Sequence, residues 1–205
     1  MLLSVGTFTV AAILIVLLPG PDTLVVVRNL VRGGRSTALR TVLGVLSGLV
    51  VWVVTAALGL SAVLRASDEA YLALRIAGAL YLLWLGMQSL RARGRIAEPQ
   101  PSSRRPGLIG TGYLPGLATD LLNPKFGVFF VTFLPGFVPH GYPVGWMSLL
   151  LGGIFVALTA MYFGVLLAVS GPVTHWMSTV HIRRRLDRLT GLVLIGFGIR
   201  LALEP

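Results

Sequence analysis

Residues 41–64 carry no charged side chain, and five further stretches are nearly as apolar: about 2–27, 71–90, 109–138, 146–170 and 186–203. A bilayer crossing needs roughly 20 mostly apolar residues. Six crossings would take about 120 residues and leave about 85 for connections, too few for a separate soluble domain. Composition agrees, with 55% hydrophobic and only 12% charged residues, where a soluble domain carries about a quarter charged. A disordered chain, a coiled coil and an ordinary soluble domain are excluded on these grounds. The fold class read from the sequence is an all-α membrane protein with six transmembrane helices.

The net charge of +10 comes from 17 Lys and Arg against 7 acids, and Lys125 is the single lysine. In a soluble protein such an excess suggests nucleic acid. In a membrane protein it marks cytoplasmic connections, so no nucleic-acid partner is expected, and lipid is. Loop one holds Arg28, Arg32, Arg35 and Arg40, and loop three Arg91, Arg93, Arg95, Arg104 and Arg105. Loop five holds Arg183, Arg184, Arg185 and Arg188. Loop two has Arg65 against Asp68 and Glu69, and loop four, 139–145, has no Lys or Arg. The odd loops are therefore predicted to be cytoplasmic, with both termini outside. The first charged residue is Asp22, and no basic segment precedes the apolar start. Leu2 to Val27 accordingly reads as a retained span. Residues 174–185, with His175, Trp176 and His181, read as an interfacial segment.

Loop three, about 91–108, holds Pro99, Pro101 and Pro106 and lies near the chain midpoint. It separates a first repeat, about 1–92, from a second, about 109–205, within one transmembrane domain. Pro21-Asp22 aligns with Pro124-Lys125, Gly48 with Gly152, and Val54-Thr55-Ala56 with Leu158-Thr159-Ala160. Arg75-x-x-Gly78 aligns with Arg188-x-x-Gly191. Three spans per half force the second half upside down, an inverted repeat of the kind that places a site near the midplane between broken helices.

Two segments are predicted to be such breaks. Leu18-Pro19-Gly20-Pro21-Asp22 cannot continue a helix, because each proline lacks an N–H and crowds the preceding turn. Asp22 then sits at the start of a second half-helix, where its carboxylate meets free N–H groups. An acid inside an apolar run costs about 2.5–3.5 kcal/mol on insertion scales and marks a polar path. The run 109–138 is too long for one straight crossing and contains Thr119-Asp120-Leu121-Leu122-Asn123-Pro124-Lys125. Asn123 suits an N-cap with Pro124 at the first helical position. Lys125 is placed against Asp22, Asp120 or a substrate carboxylate, or snorkels to an interface. The candidate binding residues are Pro19, Gly20, Pro21, Asp22, Asp120, Asn123, Pro124 and Lys125. Gly44-x-x-x-Gly48 reads as a helix-packing face. The sequence has no cysteine, no nucleophile elbow, no metal-spaced cluster and no Walker-type loop. The chain is not expected to be an enzyme or to hold a cofactor or metal.

Pro19-Gly20-Pro21-Asp22, then Arg32-Gly33-Gly34-Arg35, then Gly44-x-x-x-Gly48 resembles the first half of the LysE/RhtB family of amino-acid exporters. Leu121-Leu122-Asn123-Pro124-Lys125 with Phe133-Leu134-Pro135 resembles its second-half motif, and Arg185-Leu186-Asp187-Arg188-Leu189-Thr190-Gly191 its last span. The resemblance implies a bacterial inner-membrane secondary transporter that exports amino acids or close derivatives in exchange for protons. Asp120 stands where that pattern has an uncharged Asn, which points toward a cationic substrate. An inorganic-cation exporter and a non-transporting accessory protein are the alternatives, and a homo-oligomer is left open. Because the sequence lacks cysteine, single-cysteine accessibility labelling is expected to find loops two and four outside and the odd loops in the cytoplasm. A cytoplasmic loop two would overturn the six-span order.

Overall fold

The computed structural model describes residues 1–17, 20–66, 68–91, 110–139, 141–169 and 180–203. Pro19, most of loop three and residues 174–179 of the expected interfacial segment lie outside the described residues. Among the described residues the regular structure is entirely helical. Helix α1 is Leu2–Leu17, α2 Pro21–Ala66, α3 Asp68–Arg91, α4 Tyr113–Leu121 and α5 Pro124–Val128. Helix α6 is Val144–Ala168 and α7 is Val180–Leu203.

Helix α2 is two arms. At Gly34 the backbone turns to φ 70° and ψ −174°, a conformation that glycine adopts without steric cost. Residues 29 and 41 would lie about 18 Å apart along a straight helix. Instead the buried Asn29 Nδ2 donates to Thr41 Oγ1 at 2.8 Å, so the arms fold back on one another. The expected Arg-rich loop 28–40 is thus corrected to two helix ends joined at one residue. Arg35 donates to the Ala168 carbonyl at 3.0 Å. That cation satisfies an open carbonyl at the end of α6.

Backbones approach closely where glycines face each other. A Cβ on Gly44 would strike the Tyr113 carbonyl of α4, and one on Gly116 would strike the Thr41 carbonyl of α2. Helices α3 and α7 meet the same way, with Gly86 and Gly191 each lying against the other's carbonyl. Close approach of this kind lets dispersion hold helices together where lipid supplies no hydrophobic drive. Helix α6 packs on α2, with Gly152 against Val53.

The segment after α5 widens into a π-turn at Phe129–Phe133 and tightens to a 3₁₀ turn at Leu134–Phe137. Pro135 explains the change of ladder, because it has no N–H to give to residue 131 and its ring crowds that carbonyl. The phenylalanines of this segment form the core, packing on α1 through Phe8–Phe137 at 5.4 Å and on α6 through Phe129–Phe155 at 5.2 Å.

Helix α6 buries Leu151, Phe155 and Phe163 on one face. Its other face exposes Trp146, Leu149, Met161 and Val165. A helix apolar all round with one side uncovered by protein is suited to lipid. Pro21–Gly59, which includes the turn at Gly34, and Val144–Ala168 each hold an apolar window long enough to cross a membrane, while Leu2–Leu17 and Gly191–Leu203 are apolar but shorter.

Gly116→Ala is expected to lower the melting temperature in detergent by the equivalent of about 1–3 kcal/mol of overpacking. Gly153, with open space around its Cβ position, supplies the control. Gly153→Ala should leave stability unchanged or raise it by up to about 1 kcal/mol.

Candidate substrate site at two helix breaks

Helix α1 stops at Leu17 and α2 restarts at Pro21. The Ile15 carbonyl would ordinarily accept from the N–H of residue 19, which is proline and has none. That carbonyl is left open inside the protein, where an unpaired backbone group costs as much as a lost hydrogen bond. Lys125 Nζ fills it, donating to the Ile15 carbonyl at 2.9 Å. The lysine reaches this carbonyl from the second break, and its stem is buried.

The second break is built from Asn123. Helix α4 ends at Leu121 and α5 begins at Pro124, with Asn123 as its N-cap. Asn123 Oδ1 accepts from the Lys125 backbone N–H at 3.1 Å, closing one of the open donors of the first turn. Its Nδ2 donates to Asp22 Oδ2 at 2.6 Å. One amide side chain therefore caps α5 and holds the acid in the first turn of α2. Asp22 and Lys125 line the same small cavity, and the Lys125 ammonium lies 5.4 Å from the Phe126 ring centroid.

Two acids share this region in different settings. Asp22 has one oxygen bonded by Asn123 and the other, Oδ1, buried without a partner. Asp120 is fully buried and neither carboxyl oxygen has a hydrogen-bond partner. An ionised carboxylate held this way costs far more than a paired one, so Asp120 calls for a proton or a cation. Gly48 makes the room for it, since a Cβ there would lie 2.5 Å from Asp120 Oδ2.

The structure brings Asp22, Asn123 and Lys125 together and sets Asp120 beside Gly48. Gly20 and Pro21 open α2, and the Leu24 N–H donates to the Gly20 carbonyl at 3.2 Å. Sequence reasoning missed four neighbours. Trp52 Nε1 donates to the Asp120 carbonyl at 3.3 Å, and its ring lies over Gly127. Thr23 and Tyr162 approach through their hydroxyls at 3.5 Å. Thr159 is buried and donates to the Phe155 carbonyl at 2.9 Å. The available signal was the spacing of Thr159 and Tyr162, three apart on one face of an otherwise apolar helix. With Asp22, Thr23 and Lys125 they line a cavity of about 20 Å³.

Residues 13–205 match the family described as LysE type translocator. The chain belongs to that family. It is 32% identical to a threonine efflux protein of Salmonella typhimurium, over 96% of this chain and 97% of the relative. It is 30% identical to a threonine efflux protein of Escherichia coli K12 over the same shares. It is also 29% identical to the uncharacterized membrane protein YrhP of Bacillus subtilis, over 94% of this chain and 95% of the relative. No solved structure matches the chain. A LysE translocator is a membrane carrier of a small solute, and the exposed apolar face of α6 is accounted for as lipid-facing surface.

Asn123→Ala is expected to destabilise the folded protein by about 2–4 kcal/mol, from a lost cap and a stranded buried carboxylate oxygen. Asn123→Asp keeps the cap acceptor but sets a second carboxyl against Asp22, and should cost at least as much. Thermal unfolding in detergent measures both. Wild-type stability in Asn123→Asp would show that the bond to Asp22 contributes nothing.

Proposed function

We propose that this LysE translocator exports an amino acid or close derivative across the bacterial inner membrane in exchange for protons. The observation that carries the reading is the junction of Asp22, Asn123 and Lys125, where the first turns of two half-helices meet. Half-helix N-termini present free N–H groups and positive dipole ends to an anion. In this reading the substrate carboxylate sits at those ends beside Lys125, and Asp22 takes the ammonium or a proton. Gly20, Pro21 and Pro124, with Pro19, break the helices so that these ends face inward. The relatives that are threonine efflux proteins support an amino acid as the cargo.

The two halves are proposed to form an inverted repeat of three spans each, with both termini outside. The cavity at the junction, about 20 Å³, holds one water and no amino acid. Loading therefore requires the half-helices to part, which fits alternating access between two repeats. The two unpartnered oxygens of Asp120 favour a second reading, an inorganic-cation exporter with Asp22 and Asp120 as hard oxygen ligands. The ammonium of Lys125 beside Asp22 opposes it.

The test is radiolabelled flux in proteoliposomes with an imposed pH gradient. The panel is threonine, homoserine, leucine, lysine, arginine and one divalent cation. Gradient-dependent flux of at least one amino acid is expected, abolished by Asp22→Asn and with a raised KM in Lys125→Gln. Flux of the cation alone would move the assignment to the second reading. Unchanged flux and pH dependence in folded Asp22→Asn would remove Asp22 from the mechanism.

A further inference from the structure

A larger cavity, about 270 Å³, opens between the first arm of α2 and the face of α4. Its α2 wall includes Val25, Arg28, Asn29 and Arg32, and its other wall Pro115, Ala118 and Thr119 of α4 with Leu122 just past the end of that helix. Among the described residues the lining holds two arginines and no acid. Arg28 and Arg32 are four apart on a helix, so their stems stand about 5–6 Å from each other, and like charges so placed destabilise the helix. Arg35 has a carbonyl to bind at the end of α6. Arg28 and Arg32 face the cavity instead.

Both walls lead to the junction. Residues 22, 25, 29 and 32 fall at helical intervals of three and four, which places Asp22, Val25, Asn29 and Arg32 on one stripe, with Arg28 at its flank. On α4 the series 115, 118/119 and 122 follows the same interval and ends beside Asn123. Arg28 and Arg32 lie about 9–15 Å along the helix from Asp22. By helix position the two places are farther apart than the carboxylate and ammonium of one α-amino acid, and they are treated as successive stations.

We infer that this cavity is a capture site for the carboxylate of the cargo, held by the guanidiniums of Arg28 and Arg32 before the solute enters the Asp22–Asn123 junction. The inference rests on the exporter reading for the identity of the cargo. The anion-attracting cavity itself stands on geometry alone. Planar guanidiniums pair with carboxylates through two parallel hydrogen bonds. Clefts lined by one sign of charge raise the local concentration of the opposite ion by about tenfold or more. On the Arg-rich face, which the loop charges assign to the cytoplasm, that concentrates an exported anion-bearing solute at the entrance.

The natural lack of cysteine permits a test that does not depend on transport. Ala118→Cys, with Thr119→Cys as a second reporter, is placed in the full chain in phosphatidylcholine vesicles. Each is reacted with an anionic and a cationic methanethiosulfonate, both rates normalised to a free thiol. The anionic reagent is expected to be favoured about tenfold, the preference falling to parity in Arg28→Gln/Arg32→Gln and surviving in Arg28→Lys/Arg32→Lys. Threonine, lysine or leucine, whichever shows flux, should slow the labelling, and its amide should not. Parity in the wild-type background would overturn the inference even if flux is intact. Preference for the anionic reagent without flux of any amino acid would uphold the cavity and sink the exporter reading. Protection only when phosphatidylglycerol is added, with none by amino acid, would assign the arginines to a lipid headgroup and overturn the capture role.

Discussion

A single amide side chain joins the two broken helices. Asn123 closes the first turn of α5 through its Oδ1 and holds Asp22 through its Nδ2. Neither job is dispensable in a bilayer, where no water replaces a missing partner. The breaks are coupled in a second way. Proline at residue 19 strips Ile15 of its helical donor, and Lys125 supplies one from α5. Both donors that cross between the breaks therefore come from the second one, and a change there must alter the hydrogen bonding at the first.

That coupling needs backbones to come close, and glycine supplies the closeness. Gly44 and Gly116 seat α4 on α2 carbonyl to Cα, while Gly48 leaves the space that Asp120 occupies. The polar residues consequently lie inside a tight contact and not at a lipid-facing seam. The same economy brings α3 and α7 together through Gly86 and Gly191. Small residues here set where the charges can sit, so packing and site are one problem.

Much of this was legible in the sequence, because it rests on chemistry that one residue type dictates. Proline cannot continue a helix, so both breaks and the N-cap role of Asn123 could be read directly. Isolated ionisable groups in apolar runs picked out Asp22, Asp120 and Lys125. What was hidden depends on pairing across the chain. Gly33-Gly34 reads as part of an arginine-rich loop, and only the contact of Asn29 with Thr41 shows a hairpin turning at one residue. Charge and stem length offer Lys125 a carboxylate or an interface, whereas the partner it meets is an open carbonyl at Ile15. Trp52 resembled any membrane tryptophan until its Nε1 was seen on Asp120. Residue types announce local geometry, but the partner that answers an unmet hydrogen bond belongs to the tertiary fold.

The π-turn at Phe129–Phe133 gives this arrangement mechanical slack. A π-turn holds one residue more than the regular ladder needs. Passing that surplus toward α5 would rotate the residues it passes by about 100° while the ladder stays bonded on either side. Downstream, Leu134, Pro135 and Phe137 are buried in the core, so the slip would be felt upstream, in α5 and at Lys125. One residue of register is therefore enough to turn the Lys125 ammonium away from the junction, and the phenylalanines between it and the π-turn would have to repack with it.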